Sequence, residues 1–158
     1  MNKVSDMEDW HKEMERKIKA TFSGKYKVKI SSEEKIQLPF LEVEPARRKV
    51  WYNPDVVFQN REDKSISYIV EVVDESPSRP VEFIGIIAMA DICIGKMIEA
   101  GAQNKQTKPQ LIFLLKKDLP KGRIEKFYDL NNKFRGCLEN IKDPIMCREE
   151  EKIENVIK

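Results

Sequence analysis

Two uninterrupted apolar runs, with a long apolar segment between them, restrict the fold of this 158-residue chain more than any other feature. The runs are Ser67–Val73 and Pro109–Lys117. A strand that is apolar on both faces is typical of the centre of a sheet that helices cover. The segment between them, Val81–Ile98, is apolar nearly all round, as expected of a helix packed against a sheet. The three segments predict a strand–helix–strand crossover that joins two parallel strands.

Further strands are predicted before this crossover. Tyr26–Ile30 alternates like a half-buried strand, and Lys35–Glu44 is a weaker candidate whose prolines favour an edge strand or a loop. Lys49–Phe58 is interpreted as one strand with a turn-like Asn53-Pro54 step near its middle. Consecutive strands without an intervening helix pair in antiparallel fashion, so the whole pattern predicts an α/β fold with a mixed sheet.

Three more helices are predicted around the sheet. A capping-box pattern at residues 5–8 opens a helix that ends at Ser23-Gly24. Apolar residues recur at helical spacing through Lys121–Ile141. Asp143-Pro144 resembles a cap and first-turn proline, which predicts a short terminal helix with Met146, Ile153 and Ile157 on it. Length and the absence of a linker pattern predict a single domain over residues 1–158.

Composition excludes several classes of protein. Charged residues make up 35% of the chain, above the roughly 25% of average proteins, but the net charge of +2 argues against a nonspecific polycation. Three cysteines without CxxC spacing disfavour a disulfide framework or a thiolate zinc site and favour a reducing, cytoplasmic location. The polar N-terminus shows no signal peptide, and Val81–Ile98 carries three charges, so no membrane association is expected.

Two acidic residues on consecutive strand-like runs are the first candidates for chemistry. Asp55 and Glu71 each lie within an apolar stretch, where an unpaired carboxylate costs several kcal/mol. Their convergence would create a site for one divalent cation, since Mg²⁺ is held by one or two carboxylates together with water and substrate oxygens. The alternatives are a turn role for Asp55 after Asn53-Pro54 and a salt-bridged or exposed position for Glu71.

The element order and the two acids resemble the PD-(D/E)XK nuclease superfamily, which includes restriction endonucleases and archaeal Holliday-junction resolvases. That family has an α-β-β-β-α-β core, with Pro-Asp at the second core strand and Glu or Asp, any residue, and Lys on the third. Pro54-Asp55 matches the first half of the motif, and Glu71 follows sixteen positions after Asp55. The resemblance covers residues 6–117 approximately, which leaves residues 121–158 as a C-terminal helical extension.

The resemblance implies a metal-dependent endonuclease, a hydrolase that acts on DNA. Asp55 and Glu71 would be the catalytic acids and would hold Mg²⁺ or Mn²⁺, which polarises the phosphate and activates a water molecule. Family members often add a glutamate from the first helix. Glu8 and Glu15 are the candidates, and Glu15 is favoured because it lies beside the apolar stripe of that helix.

The chain departs from the family at Val73, which stands where the motif lysine belongs. In the family that lysine positions or deprotonates the water and stabilises developing charge. The other candidates for this role are Lys49, Glu82 and Lys96. The departure leaves open a relocated lysine, a lysine-independent enzyme, or a catalytically inactive nuclease fold that binds nucleic acid or a protein partner. An unrelated α/β assembly protein and a homodimer are further possibilities.

The sequence also indicates roles for His11, Asp91 and the basic run Arg47–Lys49. His11, the only histidine, excludes a histidine-cluster metal site, and its charged neighbours predict a surface helix residue. Asp91 is interpreted as a structural acid held by lysine, arginine or backbone donors. The basic run Arg47–Lys49 would contact phosphates if it borders the acidic pocket, although a solvated surface run is the alternative.

Overall fold

The computed structural model of the chain describes residues 3–43, 48–74, 81–117, 119, 121–133 and 135–157. Side chains at 3–8, 41–43, 48, 81, 121, 123, 124, 127 and 150 lie outside the description. The elements follow in the order α1 (Lys3–Phe22), β1 (Lys27–Ile30), β2 (Leu38–Val43), β3 (Arg48–Tyr52), β4 (Val56–Gln59), β5 (Ile66–Val73), α2 (Val81–Glu99), β6 (Gln110–Leu115), α3 (Lys121–Lys133) and β7 (Ile145–Arg148). Two short 3₁₀ turns, Glu149–Glu151 and Ile153–Asn155, follow β7.

The protein has an α/β fold built on a mixed sheet of five strands in the order β1-β4-β5-β6-β7. The pairs β1–β4 and β4–β5 are antiparallel, whereas β5–β6 and β6–β7 are parallel. The predicted crossover from β5 through α2 to β6 is therefore confirmed. Strands β2 and β3 form a separate antiparallel hairpin.

Each face of the five-stranded sheet has its own apolar core. On one face, α2 and the β2–β3 hairpin pack against alternate residues of the central strands, and the rings of Phe83 and Phe113 lie 5.0 Å apart. On the other face, α1 and the C-terminal segment cover the opposite set, including Val70 and Val72. The side chains of β6 are buried throughout, which confirms the prediction of a central strand.

The predicted strand Lys49–Phe58 is wrong in one respect, because it is two strands in different sheets. β3 ends at Tyr52 and β4 begins at Val56. Pro54 has no N–H to donate to a ladder and restricts the residue before it, so the strand cannot continue through this step. The break places Asp55 immediately before β4, at one end of the main sheet.

The helical prediction for the C-terminal part is also corrected. α3 ends at Lys133, well before Ile141, and Gly136 adopts a φ of 80°, a conformation that suits the end of a helix. Asp143-Pro144 leads into β7 and opens no helix. Met146 faces the α2-side core while Cys147 faces the α1-side core, and this alternation is that of a strand buried on both faces.

The N-terminal helix begins at Lys3, earlier than the capping-box pattern predicts. The capping side chains of that pattern lie outside the described residues. Within the described part of the chain, none of the helices combines the length and the apolar character needed to cross a membrane.

Candidate functional site

Asp55 and Glu71 are neighbours across the β4–β5 pair. The ladder pairs Val56 with Val70, and one further step in the same register brings Asp55 opposite Glu71. On the other side, the backbone N–H of Ser31 donates to the carbonyl of Asp55 at 2.8 Å. Both acids named from the sequence therefore lie at one end of the sheet, next to the end of β1.

Glu71 is held by a tyrosine from the hairpin. The hydroxyl of Tyr52, a residue only 4% exposed, donates a hydrogen bond to Glu71 Oε1. Burial raises the pKa of Glu71 well above its ordinary value, and the charge of Asp55 raises it further, while the Tyr52 hydrogen bond acts in the opposite direction. A smaller increase in this pKa comes from the charge of Glu15. Burial and the neighbouring carboxylate of Asp55 thus both disfavour the ionised form of Glu71.

Asp55 uses its two carboxylate oxygens differently. Oδ2 accepts a hydrogen bond from the backbone N–H of Val72 at 2.8 Å. Oδ1 lies 3.1 Å from Nε2 of His11 on α1. The first contact fixes the carboxylate to the strand that carries Glu71, and the second joins it to the helix layer.

Glu15 is the acid that α1 contributes to the site. The residue is 1% exposed, and its Oε1 accepts hydrogen bonds from the Ser31 hydroxyl at 2.7 Å and from the Ser32 N–H at 3.2 Å. Its Oε2 lies 3.4 Å from Nε2 of His11. A buried glutamate is costly unless it is paired, and here it is paired with donors of the site. The side chain of the other candidate, Glu8, lies outside the described residues.

His11 is the component that the sequence interpretation assigned wrongly. It is partly buried, with 24% of its side chain exposed, and it faces the acids instead of solvent. Nε2 contacts Asp55 and Glu15, while Nδ1 lies 3.6 Å from Oδ2 of Asp74, the residue that follows β5. The hydrogen bond with Asp55 raises the pKa of His11 to about 9, against an opposing effect of burial and with help from the charges of Asp55, Glu15 and Asp74.

Asp74 is a second residue of the site that was not among the predicted ones. It follows Val73 directly, so it lies at the end of the strand that carries Glu71. The signal for both missed residues was modest. His11 precedes Glu15 by four positions, which places the two side chains on one face of a helix, and Asp74 continues the run that ends at Val73.

The two lysines named as candidates for the motif role, Lys49 and Lys96, lie elsewhere. The ammonium group of Lys49 lies 6.0 Å from the centre of the Trp51 ring, and Lys96 lies close enough to Cys93 to lower the pKa of that thiol against the larger effect of burial. Val73 packs against the α2-side core. Among the side chains that the structure describes, no lysine or arginine lies within 4.0 Å of the carboxylates of Asp55 or Glu71.

The roles predicted for Asp91 and for the basic run Arg47–Lys49 differ in how far the structure describes them. Asp91 is confirmed as a structural acid, because its Oδ1 accepts hydrogen bonds from the backbone N–H groups of Asn140 at 2.7 Å and Ile141 at 3.2 Å. The basic run Arg47–Lys49 is only partly described, since Arg47 lies outside the described residues and the side chain of Arg48 is not described.

The carboxylate oxygens of Asp55, Glu71 and Glu15 are of the type that binds a hard cation. Each of these carboxylates already accepts a hydrogen bond in this structure. Within the described ranges, no three His, Cys, Asp or Glu side chains are arranged as a group that holds a metal ion. Asp55 and Glu15 each direct one oxygen to an N–H or hydroxyl donor and the other to the imidazole of His11. Carboxylate oxygens are the ligands that Mg²⁺ and Mn²⁺ prefer, so Asp55, Glu71 and Glu15 are of a suitable type but would have to exchange their present partners to hold such an ion.

Comparison of the chain with models of protein families, with curated proteins and with solved structures found no match.

Proposed function

We propose that this protein is a metal-dependent nuclease of the PD-(D/E)XK type that hydrolyses phosphodiester bonds in DNA. Asp55 and Glu71 would be its catalytic acids and would hold Mg²⁺ or Mn²⁺ together with Glu15. The observation that carries the proposal is the convergence of these acids, one from before β4, one from β5 and one from α1, at a single end of the sheet.

The order of elements supports the proposal. When the β2–β3 hairpin is set aside as an insertion, the chain runs α1, β1, β4, β5, α2, β6, which is the α-β-β-β-α-β order of the family. Asp55 then directly precedes the second core strand and Glu71 lies on the third, which is close to the arrangement of the motif. β7 and the two 3₁₀ turns are additions to this core.

The electrostatics of the site also support the proposal. Glu71 has a raised pKa because it is buried next to Asp55, so a cation at this point would relieve both the loss of hydration and the repulsion. When bound, such an ion supplies polarisation of the phosphate and a more acidic water molecule. The chain positions the ligands: Val72 orients Asp55, Ser31 orients Glu15, and Tyr52 orients Glu71.

Calorimetric titration with Mn²⁺ tests the metal site directly. Wild-type protein and Glu62→Gln, which removes an exposed acid from the β4–β5 turn, are expected to bind with the same affinity. Asp55→Asn keeps the shape of the side chain but removes its charge, so binding should weaken by tenfold or more, the order found for changed metal surroundings. Absence of Mn²⁺ binding by the wild type at millimolar concentration would contradict the proposal.

A plasmid-nicking assay tests the reaction. Cleavage by the wild type should require Mg²⁺ or Mn²⁺, and Asp55→Asn and Glu71→Gln should each reduce it about 100-fold or more, as removal of one charge-stabilising group does in other enzymes. Glu62→Gln serves as the matched control. Cleavage that persists unchanged in both site variants would show that the nicking activity does not belong to these acids.

A second candidate is the inactive nuclease fold that binds nucleic acid or a protein partner. Val73 in the lysine position favours it. Metal binding that depends on Asp55, without any cleavage of plasmid or of short duplex and single-stranded DNA, would select this candidate over the first. A homodimer is a further prediction, which light scattering of the purified protein checks.

A further inference from the structure

We propose that a cavity beside α2 binds a small organic cation, a protonated amine with a compact apolar body, and that the carboxylate of Asp91 is the counter-ion. The inference goes beyond the proposed nuclease function and does not depend on it, because Asp91 is not one of the acids that meet at the end of the sheet.

The cavity lies between α2 and the segment that follows α3, and its walls are largely apolar. It has a volume of about 290 Å³. Its apolar lining comes from four residues of α2 and one residue after α3, namely Ile84, Ile87, Ala88, Ile92 and Leu138. Ile92 is 42% exposed, so this wall is in contact with solvent in the free protein. Covering it with an apolar group is favourable, because water is then released from apolar surface.

Asp91 places a carboxylate at this apolar wall. Among the described residues that line the cavity, it is the one with a charged side chain. Its Oδ1 already accepts the backbone N–H groups of Asn140 at 2.7 Å and Ile141 at 3.2 Å. Within the described part of the chain, no lysine, arginine or histidine nitrogen lies within 4.0 Å of this carboxylate, and no hydrogen bond reaches Oδ2. Oδ2 is therefore available to a ligand.

The second polar group of the lining also favours a ligand that donates hydrogen bonds. Asn131 Nδ2 donates to the carbonyl of Pro144 at 3.3 Å, which leaves the side-chain oxygen of Asn131 as its other polar atom. Like Oδ2 of Asp91, this oxygen is an acceptor. Both polar groups thus suit an ammonium group, which carries donors and no acceptor.

Charge and size together define the class of ligand. An ammonium group forms a charge-assisted hydrogen bond with a carboxylate, and such bonds are stronger than neutral ones. A neutral ligand lacks this charge, and an anion is repelled. Since an apolar cavity of about 150 Å³ is large enough for benzene, the larger volume here accommodates one six-membered ring with a short aminoalkyl group.

Cys137 provides a direct measurement of occupancy. It lines the cavity and is exposed, whereas Cys93 and Cys147 are buried, so a thiol reagent reacts first with Cys137. Benzylammonium, benzyl alcohol and benzoate share one ring and differ in charge. At millimolar concentrations benzylammonium should slow the reaction of Cys137 in a saturable way. Benzyl alcohol and benzoate should bind about tenfold or more weakly, the usual difference for one hydrogen bond to a charged group.

Three variants separate the counter-ion from the cavity itself. Asp91→Asn keeps an oxygen that accepts the two backbone N–H groups but removes the charge, so affinity for benzylammonium should fall about tenfold or more. Ala88→Trp places a large ring at an exposed position of the lining and should abolish protection of Cys137 by all three compounds. Asp129→Asn removes an exposed acid of α3 outside the lining and is the matched control, with unchanged affinity.

Several results would overturn the inference. Equal affinity for benzylammonium and benzyl alcohol, or unchanged affinity in folded Asp91→Asn, would show that the carboxylate is not a counter-ion. Failure of benzylammonium to protect Cys137 of the wild type would remove the site. A thiol that becomes reactive only on dilution would show that a second copy of the chain covers the cavity. If Asp91→Asn does not fold, the comparison of the three compounds on the wild type and on Ala88→Trp decides the question.

Discussion

Glu71 occupies a position where the proposed function and the stability of the fold have opposite requirements. A metal ligand must be ionised, but burial and the neighbouring charge of Asp55 raise the pKa of Glu71 well above its ordinary value and so favour its protonated form. The folded protein consequently binds a proton more readily at Glu71 than the unfolded chain does. Stability is therefore lost as the pH rises above the ordinary pKa of 4.5 for this group.

Glu71→Gln should make the metal-free protein more stable at neutral pH. Glutamine has no charge to desolvate, and its carbonyl still accepts the hydrogen bond from Tyr52. We expect the free energy of unfolding at pH 8 to increase by on the order of 1 kcal/mol or more, and the difference from the wild type to shrink below pH 4. Urea denaturation at the two pH values measures this, with Glu62→Gln as the control. An increase of equal size at both pH values would contradict the electrostatic cause.

His11 contributes to stability with the opposite dependence on pH. Its pKa is raised from 6.5 to about 9 in the folded protein, first by its hydrogen bond with Asp55. The stabilisation is complete below the unfolded value of 6.5 and is lost as the pH rises through about 9. A rise of this size corresponds to about 3 kcal/mol at most.

His11→Gln should therefore destabilise the metal-free protein at pH 6 by about 2–3 kcal/mol and have little effect at pH 10. The measurement is the urea midpoint and slope at both pH values, with Lys12→Gln beside it. A cost that stays the same at pH 10 would mean that His11 acts through packing and not through its charge.

The residues of the site differ in how far the sequence could predict them. Asp55 and Glu71 were predictable because an acid in an apolar strand is a local anomaly, and Glu15 because it lies beside an apolar helix stripe. His11 was not, because its neighbours Lys12 and Glu13 are exposed and typical of a helix surface. Its role depends on which face of α1 meets the end of the sheet, and this is decided by tertiary packing.

At the level of the elements, the crossover was predictable and the last strand of the sheet, β7, was not. A long apolar segment between two apolar runs leaves few arrangements other than β5–α2–β6. β7 was mistaken for a helix because Asp143-Pro144 suits a helix start as well as a loop that enters a strand. Its four residues contain too few positions for period-2 alternation to be distinguished from helical spacing.

The Asp91 contact connects two elements and provides a test of the fold that is independent of the site. Asp91 on α2 accepts the backbone N–H groups of Asn140 and Ile141, and Asn140 Nδ2 donates to the Asp91 carbonyl at 3.1 Å. These bonds hold the segment that leads into β7 against α2. The buried side chain of Ile141 completes the contact.

Asp91→Ala should destabilise the protein by about 1–3 kcal/mol, because two backbone donors lose their acceptor. Thermal or urea unfolding measures the loss, and Asp129→Ala, an exposed acid on α3, is the matched control. Metal affinity and cleavage rate per folded molecule should not change, since Asp91 takes no part in the proposed chemistry. A selective loss of cleavage in folded Asp91→Ala would contradict that separation.

For the whole molecule, the position of the site between two layers is the important fact. The α1-side core and the α2-side core are separated by the sheet, and the acids meet where the end of the sheet touches α1. His11 and Glu15 belong to the helix layer, whereas Asp55 and Glu71 belong to the sheet. An ion bound by both groups would fasten the two layers together.

Divalent cations should therefore stabilise the entire fold and not only the side chains that bind them. A ligand that binds only the folded state at 100 times its Kd adds about 2.7 kcal/mol to the free energy of unfolding. For a chain of 158 residues this predicts an increase in Tm of about 5–10 °C, which a thermal scan with and without Mn²⁺ measures. The increase should vanish in Asp55→Asn and persist in Glu62→Gln, because only the first variant removes a ligand that joins the sheet to α1. An equal increase in Asp55→Asn would place the stabilising ion elsewhere on the molecule.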